Sequence, residues 1–359
     1  MADRSAPLPG VASAAAHLIL ALSAFVSSSH DALGSPSPAP AKQRGVSWVA
    51  AAPIVGAQLE PVSALGANWI AQEPFGWQRD PKAPEIVLST SSKHAYWGES
   101  DEGIRETARL ARAKGIRTLL KPHLWVRGGG WVGDIRMDDD REWAAWFGSY
   151  RTFILHYATL AEANGIEALC IGTELRNASV GHQGRWRALI REIRTIYRGQ
   201  LTYAANWNDE YDRIEFWDAL DFIGVQAYFP LTQRTKPTVA ELAAGWKPHL
   251  AALRAVSVRF GKPVVFTEVG YRSTSSAAIE PWSWPEHDGN ALPPPDDDTQ
   301  ARCFQALFQT FWTEPWFGGA YIWKWYPEGK ASRKDTATDF TPQGKPAENV
   351  IRSWYAKAR

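Results

Sequence analysis

The sequence predicts an α/β fold, a single (β/α)8 TIM barrel, and three observations predict it. Apolar runs with the character of buried strands alternate strictly with amphipathic segments of helical period, and eight such runs can be counted. Glycine closes several of the helical segments directly before the next strand. Together these units cover roughly 300 residues, the length such a barrel needs, which leaves little chain for a second domain.

The strand-like runs follow in order at 45–50, 68–75, 116–125, 167–175, 200–207, 221–229, 262–271 and 318–326. The first carries Gly45-Val46-Ser47-Trp48 and passes into Ala51-Ala52-Pro53-Ile54. A doubly wound sheet, the structural alternative, wants a glycine-rich phosphate turn at that point, and none is there. The second run reaches Glu73-Pro74, and the third holds Lys121-Pro122-His123-Leu124-Trp125. The fourth leads through Cys170 to Ile171-Gly172-Thr173-Glu174-Leu175, the fifth ends at Asn206-Trp207, and the sixth contains Gln226-Ala227-Tyr228. The seventh reads Val265-Phe266-Thr267-Glu268-Val269-Gly270, and the eighth Tyr321-Ile322-Trp323-Lys324-Trp325. Between them, Trp143, Trp146, Phe147, Tyr150, Ile154 and Tyr157 recur on one helical face, as do Trp186, Leu189, Ile190, Ile193 and Tyr197. Gly115, Gly165 and Gly261 punctuate helix ends.

Composition narrows the function classes. With 45% hydrophobic and 21% charged residues the chain can bury a large core. Its 39 basic and 38 acidic side chains nearly cancel, so no field draws it to nucleic acid or to an anionic membrane. Nineteen tryptophans exceed what a core requires. Flat amphipathic rings are what carbohydrate clefts use to stack on sugar faces, and about half of these are expected instead to fill gaps between helices and barrel.

The N-terminus is a zone of its own. Residues 11–26 form an apolar run too short for a membrane span, preceded by Arg4 and followed by Ser27-Ser28-Ser29 and Ala32. Residues 1–33 therefore read as a secretory signal peptide, with an uncleaved membrane anchor as the alternative. Residues 34–44, rich in Pro, Ser and Ala, read as an extended linker, and 45–359 as the barrel domain. The expected location is secreted or periplasmic. Cys170 and Cys303 fall on elements far apart in such a barrel, so both are expected as small buried hydrophobes without a disulfide. Nothing in the chain sets an oligomeric state.

Chemistry in a barrel of this kind sits at the C-terminal strand ends. Glu174 and Glu268 each end an apolar strand, where a carboxylate is costly unless it is paired or has work to do. One alone reads best as a structural ion pair, but two at equivalent positions point to glycoside hydrolysis. A separation of about 5–5.5 Å would imply the retaining route, with one glutamate held protonated and the other ionised by its surroundings. Glu73 also ends a strand, and Pro74 after it suggests a turn residue or a supporting partner. His123 could hydrogen-bond a sugar hydroxyl or be a satisfied structural group. Lys121, two residues earlier, could share its inward face and offset the carboxylates. Asn206 and Trp207 would suit sugar recognition, although Asn is also a routine turn former.

The loops after the strands look built for a cleft. Residues 76–100 carry Trp77, His94, Tyr96 and Trp97; 127–131 end in Trp131; 272–295 carry Trp282 and Trp284. They read as stacking subsites or as a lid cluster packed on itself. Asp138-Asp139-Asp140 and Asp296-Asp297-Asp298 each precede an amphipathic helix and are assigned to capping, not to metal binding. No metal-spaced histidine pair, Walker motif or nucleophile elbow occurs, so neither a metal nor a cofactor is implied.

These motifs on strands one, three, four, six, seven and eight resemble glycoside hydrolase family 113, within the clan A retaining glycoside hydrolases, across the whole barrel. The resemblance implies an endo-acting β-1,4-mannanase with Glu174 as acid/base and Glu268 as nucleophile. It implies that Tyr228 hydrogen-bonds the nucleophile and that Trp323 floors the sugar beside the scissile bond. Trp48, His123, Trp125, Thr173, Asn206 and Trp207 complete the expected substrate-binding set. Most clan A enzymes place Asn immediately before the acid/base, and here Thr173 stands there with a shorter hydroxyl for the sugar 2-hydroxyl. The expected partner is a β-linked oligo- or polysaccharide. Two alternatives remain: action on another β-glycan or an exported polysaccharide, and a carbohydrate-binding barrel without catalysis, against which Glu174, Glu268 and Tyr228 together argue.

Overall fold

In the computed structural model, which describes residues 41–88, 96–127, 129–284, 291, 293–328 and 337–357, eight parallel strands close into a barrel. They belong to eleven strands in chain order: β1 Gln43–Trp48, β2 Trp69–Gln72, β3 Phe75–Gln78, β4 Ile86–Leu88, β5 Arg117–Leu120, β6 His123–Val126, β7 Ala168–Thr173, β8 Gln200–Asn206, β9 Ile223–Gln226, β10 Val264–Val269 and β11 Phe317–Trp325. Around the barrel the order is β1, β2, β5, β7, β8, β9, β10 and β11, which pairs back with β1. The remaining three form a small separate sheet in the order β4, β3, β6. The signal peptide expected at 1–33, most of the linker, and His94 lie outside the described residues.

The small sheet corrects two expected strands. The runs 68–75 and 116–125 each break into a barrel strand and a second strand of the small sheet. Both break at Glu73-Pro74 and Lys121-Pro122, because proline offers no N–H to a ladder and holds its predecessor extended. After the breaks the two chains pair again in parallel, Phe75 with His123 and Trp77 with Trp125. Trp125 is therefore not at a barrel mouth but on this outer sheet, half of its surface exposed. The other boundaries shift by three residues or fewer at each end.

The helices behave as their patterns require. They are α1 Glu60–Ala64, α2 Asp101–Ala113, α3 Asp140–Ala163, α4 Arg176–Gly181, α5 Gln183–Ile196, α6 Val239–Phe260, α7 Asp297–Phe311 and α8 Pro346–Ala356. Asp139 caps α3 by accepting from the Glu142 N–H at 2.8 Å, and Asp296 caps α7 by accepting from Thr299 at 2.8 Å, the role assigned to the two acidic triplets. Thr238 and Glu241 form a reciprocal capping box on α6, which ends at Gly261 in the left-handed region, φ 63°. Trp146, Tyr150 and Tyr157 of α3 and Trp186, Ile190 and Ile193 of α5 are buried against the barrel. Among the described residues no helix is long and apolar enough to cross a membrane.

Inside the barrel, Trp69, Ala71, Leu119, Ala168, Cys170, Ala204, Phe222, Val265 and Tyr321 form a cluster of their own, large rings interleaved with small side chains. Both cysteines are free and buried. Gly45 faces this cluster, where an added Cβ would lie 2.2 Å from Tyr321 Cδ1. Gly45→Ala is therefore expected to destabilise the barrel by about 1–3 kcal/mol through overpacking, read as a lower urea midpoint with the unfolding slope unchanged.

Candidate active site

A cavity of about 1360 Å³ opens over the C-terminal ends of the strands and is walled by both glutamates together with Glu73, His123, Asn206, Tyr228 and seven tryptophans: Trp48, Trp125, Trp131, Trp207, Trp282, Trp284 and Trp323. Each glutamate arrives from the end of a strand whose ladder shifts register just before it, β7 between Cys170 and Thr173 and β10 between Phe266 and Glu268. Glu174 takes a left-handed backbone, φ 54°, while its N–H still donates to Ala204 O at 2.8 Å. A non-glycine residue there stores strain of about 1–3 kcal/mol, which the surrounding structure must hold in place.

The Glu174 carboxylate has two donors. Asn206 Nδ2 donates to Oε1 at 2.8 Å and Trp131 Nε1 to Oε2 at 3.1 Å. Trp131 is fixed from behind by the Arg176 guanidinium, 4.8 Å from its ring centroid, and Arg176 pairs with Asp134 at 2.8 Å. Burial pushes the Glu174 carboxyl up to about 7; the Glu268 charge adds to the rise, and the two hydrogen bonds oppose it. Beneath lies Glu210, fully buried, accepting from Ser179 Oγ, Tyr203 Oη and the Asn206 N–H, each at 2.6 Å. Its carboxyl is likewise raised to about 7, first by burial. Glu210 thus sets the backbone of the residue whose amide holds Glu174.

Glu268 sits in a different field. It is 5% exposed, accepts at Oε2 from Tyr228 Oη at 2.8 Å, and is bound at Oε1 by the fully buried Lys121 ammonium. Burial pushes its carboxyl up, but Lys121 outweighs that, and the carboxyl is held below its ordinary range. His123 Nε2 lies 3.7 Å from Oε1 and is neutral, its pKa pushed to about 3 by burial and then by Lys121. Lys121 also pairs with Glu73 at 3.0 Å and donates to Thr267 O at 3.2 Å. Glu73, His123 and Glu268 have the spacing of a metal-binding trio, all within 4.8 Å. The Lys121 ammonium between the carboxylates supplies the positive charge that an ion would bring.

Most sequence-predicted residues reach the cavity, but their tasks differ. Trp48 lines it, 4% exposed; Trp323 lines it beside Lys324, whose ammonium lies 5.3 Å from the Trp323 ring. Trp207 stacks on Trp282 at 5.0 Å. Asn206, expected to read the sugar, gives its amide to Glu174. Thr173 is not among the lining residues: it is buried, and its hydroxyl lies 3.9 Å from Cys170 Sγ inside the barrel. Trp97, expected in a stacking loop, is buried beneath the surface. Glu210 was not anticipated; its one sequence signal is a carboxylate in the turn 207–213, which suggests nothing beyond a loop.

Compared with known proteins, residues 44–345 match the profile of Glycoside Hydrolase Family 113. The chain belongs to glycoside hydrolase family 113. No curated protein matches it by sequence. Among solved structures it is similar to the family 113 β-mannanase AaManA from Alicyclobacillus acidocaldarius, determined in complex with ManMIm. The two are 30% identical with a TM-score of 0.76, covering 89% of this chain and 98% of that one. Two structures of family 113 β-1,4-mannanases, one of them a complex, are 25% and 27% identical, with TM-scores of 0.75 and 0.74. Each covers 88% of this chain, and 99% and 98% of its own. The protein is thus a glycoside hydrolase on a (β/α)8 barrel.

In this family 113 hydrolase the Lys121 ammonium is what allows two buried carboxylates to lie side by side. Lys121→Met is expected to destabilise it by about 3–5 kcal/mol at pH 8, because both carboxylates lose their buried counter-charge. The deficit should shrink as the pH falls and the carboxylates take up protons. Urea unfolding at pH 8 and pH 5 measures both.

Proposed function

We propose that this enzyme is a retaining endo-β-1,4-mannanase working by double displacement, with Glu174 as general acid/base and Glu268 as nucleophile. The observation that carries the proposal is two carboxyls in one cavity with opposite surroundings, Glu174 held by the neutral Asn206 amide and Trp131 indole and Glu268 by the buried Lys121 ammonium. Glu174, raised to about 7 chiefly by burial, keeps a proton to give; Glu268, kept low by Lys121, stays ionised to attack. The substrate class is supported by the three solved relatives, each described as a β-mannanase or β-1,4-mannanase.

In the first step a Glu268 oxygen bonds to the anomeric carbon of a mannosyl unit. The glycosidic C–O bond breaks, and its oxygen leaves with the proton from Glu174. In the second, Glu174 takes a proton from water, whose oxygen bonds to the same carbon and expels the Glu268 carboxylate. The Tyr228 hydroxyl, on Glu268 Oε2, fixes which oxygen faces the sugar. Trp323 forms the floor beside the scissile bond. Trp207, Trp282, Phe75 and Trp125 line the same cavity as the two glutamates and give aromatic surface for more than one sugar, which supports endo action. A polymer of this kind does not enter cells, which supports an export role for the apolar run at 11–26.

Glu268→Gln is expected to cut turnover of β-1,4-mannan by about 10⁴-fold or more while leaving ligand binding and the circular dichroism spectrum unchanged. Activity surviving in that variant would remove Glu268 from its role. Glu174→Ala should spare aryl mannosides with activated leaving groups and recover with azide, since only protonation of the leaving oxygen is lost. A parallel panel of glucan and xylan decides the substrate: cleavage of either in place of mannan keeps the chemistry and discards the mannan reading.

The pH profile follows from the same two groups. Glu268 must be ionised, so kcat/KM should fall only below the ordinary carboxylate range; Glu174 must be protonated, so it should fall as pH rises through about 7. A basic limb unchanged in Glu174→Ala, followed on an activated substrate, would assign that limb to another group.

A further inference from the structure

Glu73 has no part in this scheme, yet it lies at the cavity wall, 7% exposed, with its carboxylate 3.0 Å from the ammonium that Glu268 also holds. The Glu73 and Glu268 oxygens and the His123 nitrogen fall within 4.8 Å of one another. Two carboxylates so close repel, and the cation between them lets both remain buried. The reaction disturbs that balance, because Glu268 loses its negative charge when its oxygen bonds to the anomeric carbon. A buried ammonium facing only an ester is the costly arrangement.

We propose that Glu73 is a positioning residue that shares Lys121 with Glu268 in the free enzyme and is its remaining carboxylate partner in the glycosyl-enzyme. The proposal rests on Glu268 being the nucleophile. By drawing part of the ammonium's field, Glu73 leaves Glu268 a less tightly held, more reactive carboxylate; once the ester forms, the Glu73–Lys121 pair keeps the pocket neutral. The groups facing Glu73 are Lys121 at the end of β5, Glu268 on β10, His123 on β6 and the uncharged Ser47 on β1, with Tyr228 and Glu174 beyond. Of these His123 stays neutral and Tyr228 is raised by burial and by Glu268, so neither titrates near neutrality. Burial raises Glu73 to about 7, Lys121 pulls it down and the Glu268 charge pushes it up, so losing that charge draws Glu73 towards its ionised form. Esterification is then favoured when Glu73 is ionised, on the alkaline side.

A 2-deoxy-2-fluoro-β-mannosyl fluoride isolates the first step: the Glu268 oxygen bonds to the anomeric carbon and fluoride leaves with the electron pair, so no proton from Glu174 is needed. Inactivation rates are measured from pH 5 to 9 on wild type, Glu73→Gln and Glu73→Asp, with peptide mass mapping of the label. Glu73→Gln is expected to label about tenfold more slowly or less, the change that one pH unit of differential interaction implies. Its rate should also lose the rise towards alkaline pH expected of the wild type, and Glu73→Asp should fall between. Glu174 titrates in all three, so the difference between their profiles belongs to Glu73. Equal rates and profiles overturn the proposal alone; if Glu73→Gln does not fold, a Glu73→Asp rate equal to wild type does the same. A wild-type label on a residue other than Glu268 overturns the nucleophile assignment, and this proposal with it.

Discussion

The Lys121 ammonium, buried between Glu73 and Glu268, is the interaction on which the rest of the site depends. An isolated carboxylate in a dry pocket takes up a proton, and Glu174, whose donors are neutral groups, is driven that way. Glu268 escapes the same fate because a full positive charge touches it. At an effective dielectric constant near 20, unit charges about 4 Å apart interact by about 4 kcal/mol, enough to reverse a desolvation shift of about two to three pH units. Two glutamates in one cavity therefore differ in protonation because one has an ammonium and the other an indole and an amide.

That charge can sit there because of how the chain breaks. Lys121 follows β5 and precedes Pro122, and Glu73 follows β2 and precedes Pro74. The prolines end two neighbouring barrel strands at the same level, and the residue before each lies at the barrel mouth beside the other. Lys121 N–H still donates to Gln72 O at 2.8 Å, so the ladder runs up to the break. Beyond it the chains pair again as the outer sheet, whose one face carries Phe75 and Trp77 opposite His123 and Trp125. One device thus yields both the buried ion cluster and an aromatic wall.

The barrel was legible in the sequence because its information is periodic: apolar runs of strand length, helical stripes such as Trp143 to Tyr157, and glycine at helix ends. Glu174 and Glu268 were legible because a carboxylate closing an apolar run stands out without any knowledge of its neighbours. What could not be read is contact between residues distant in sequence. Asn206 lies 32 residues from the carboxylate it holds, Trp131 lies 43, and Lys121 lies 147 from Glu268. No local pattern distinguishes an asparagine that binds sugar from one that binds a glutamate. The two proline breaks were visible, but reading them required knowing that the flanking strands are neighbours.

Thr173 shows how backbone decides side-chain fate. Side chains alternate along a regular strand, so adjacent residues face opposite sides, and an irregularity is needed to alter that order. Here the register slips between Cys170 and Thr173, and Glu174 then turns into the left-handed region. The turn carries the Glu174 carboxylate to Asn206 and Trp131 in the cavity, while the Thr173 hydroxyl stays below with Cys170. Any group that holds the sugar 2-hydroxyl must therefore come from another element. Asn206 already gives one Nδ2 hydrogen to Glu174 and accepts at Oδ1 from the Asn208 N–H, which leaves it one amide N–H and one lone pair. Among the described residues that line the cavity, the neutral His123 stands 3.7 Å from Glu268 Oε1. An imidazole in that place can serve a sugar hydroxyl as donor or acceptor without adding charge to a pocket that already holds two carboxylates and one ammonium.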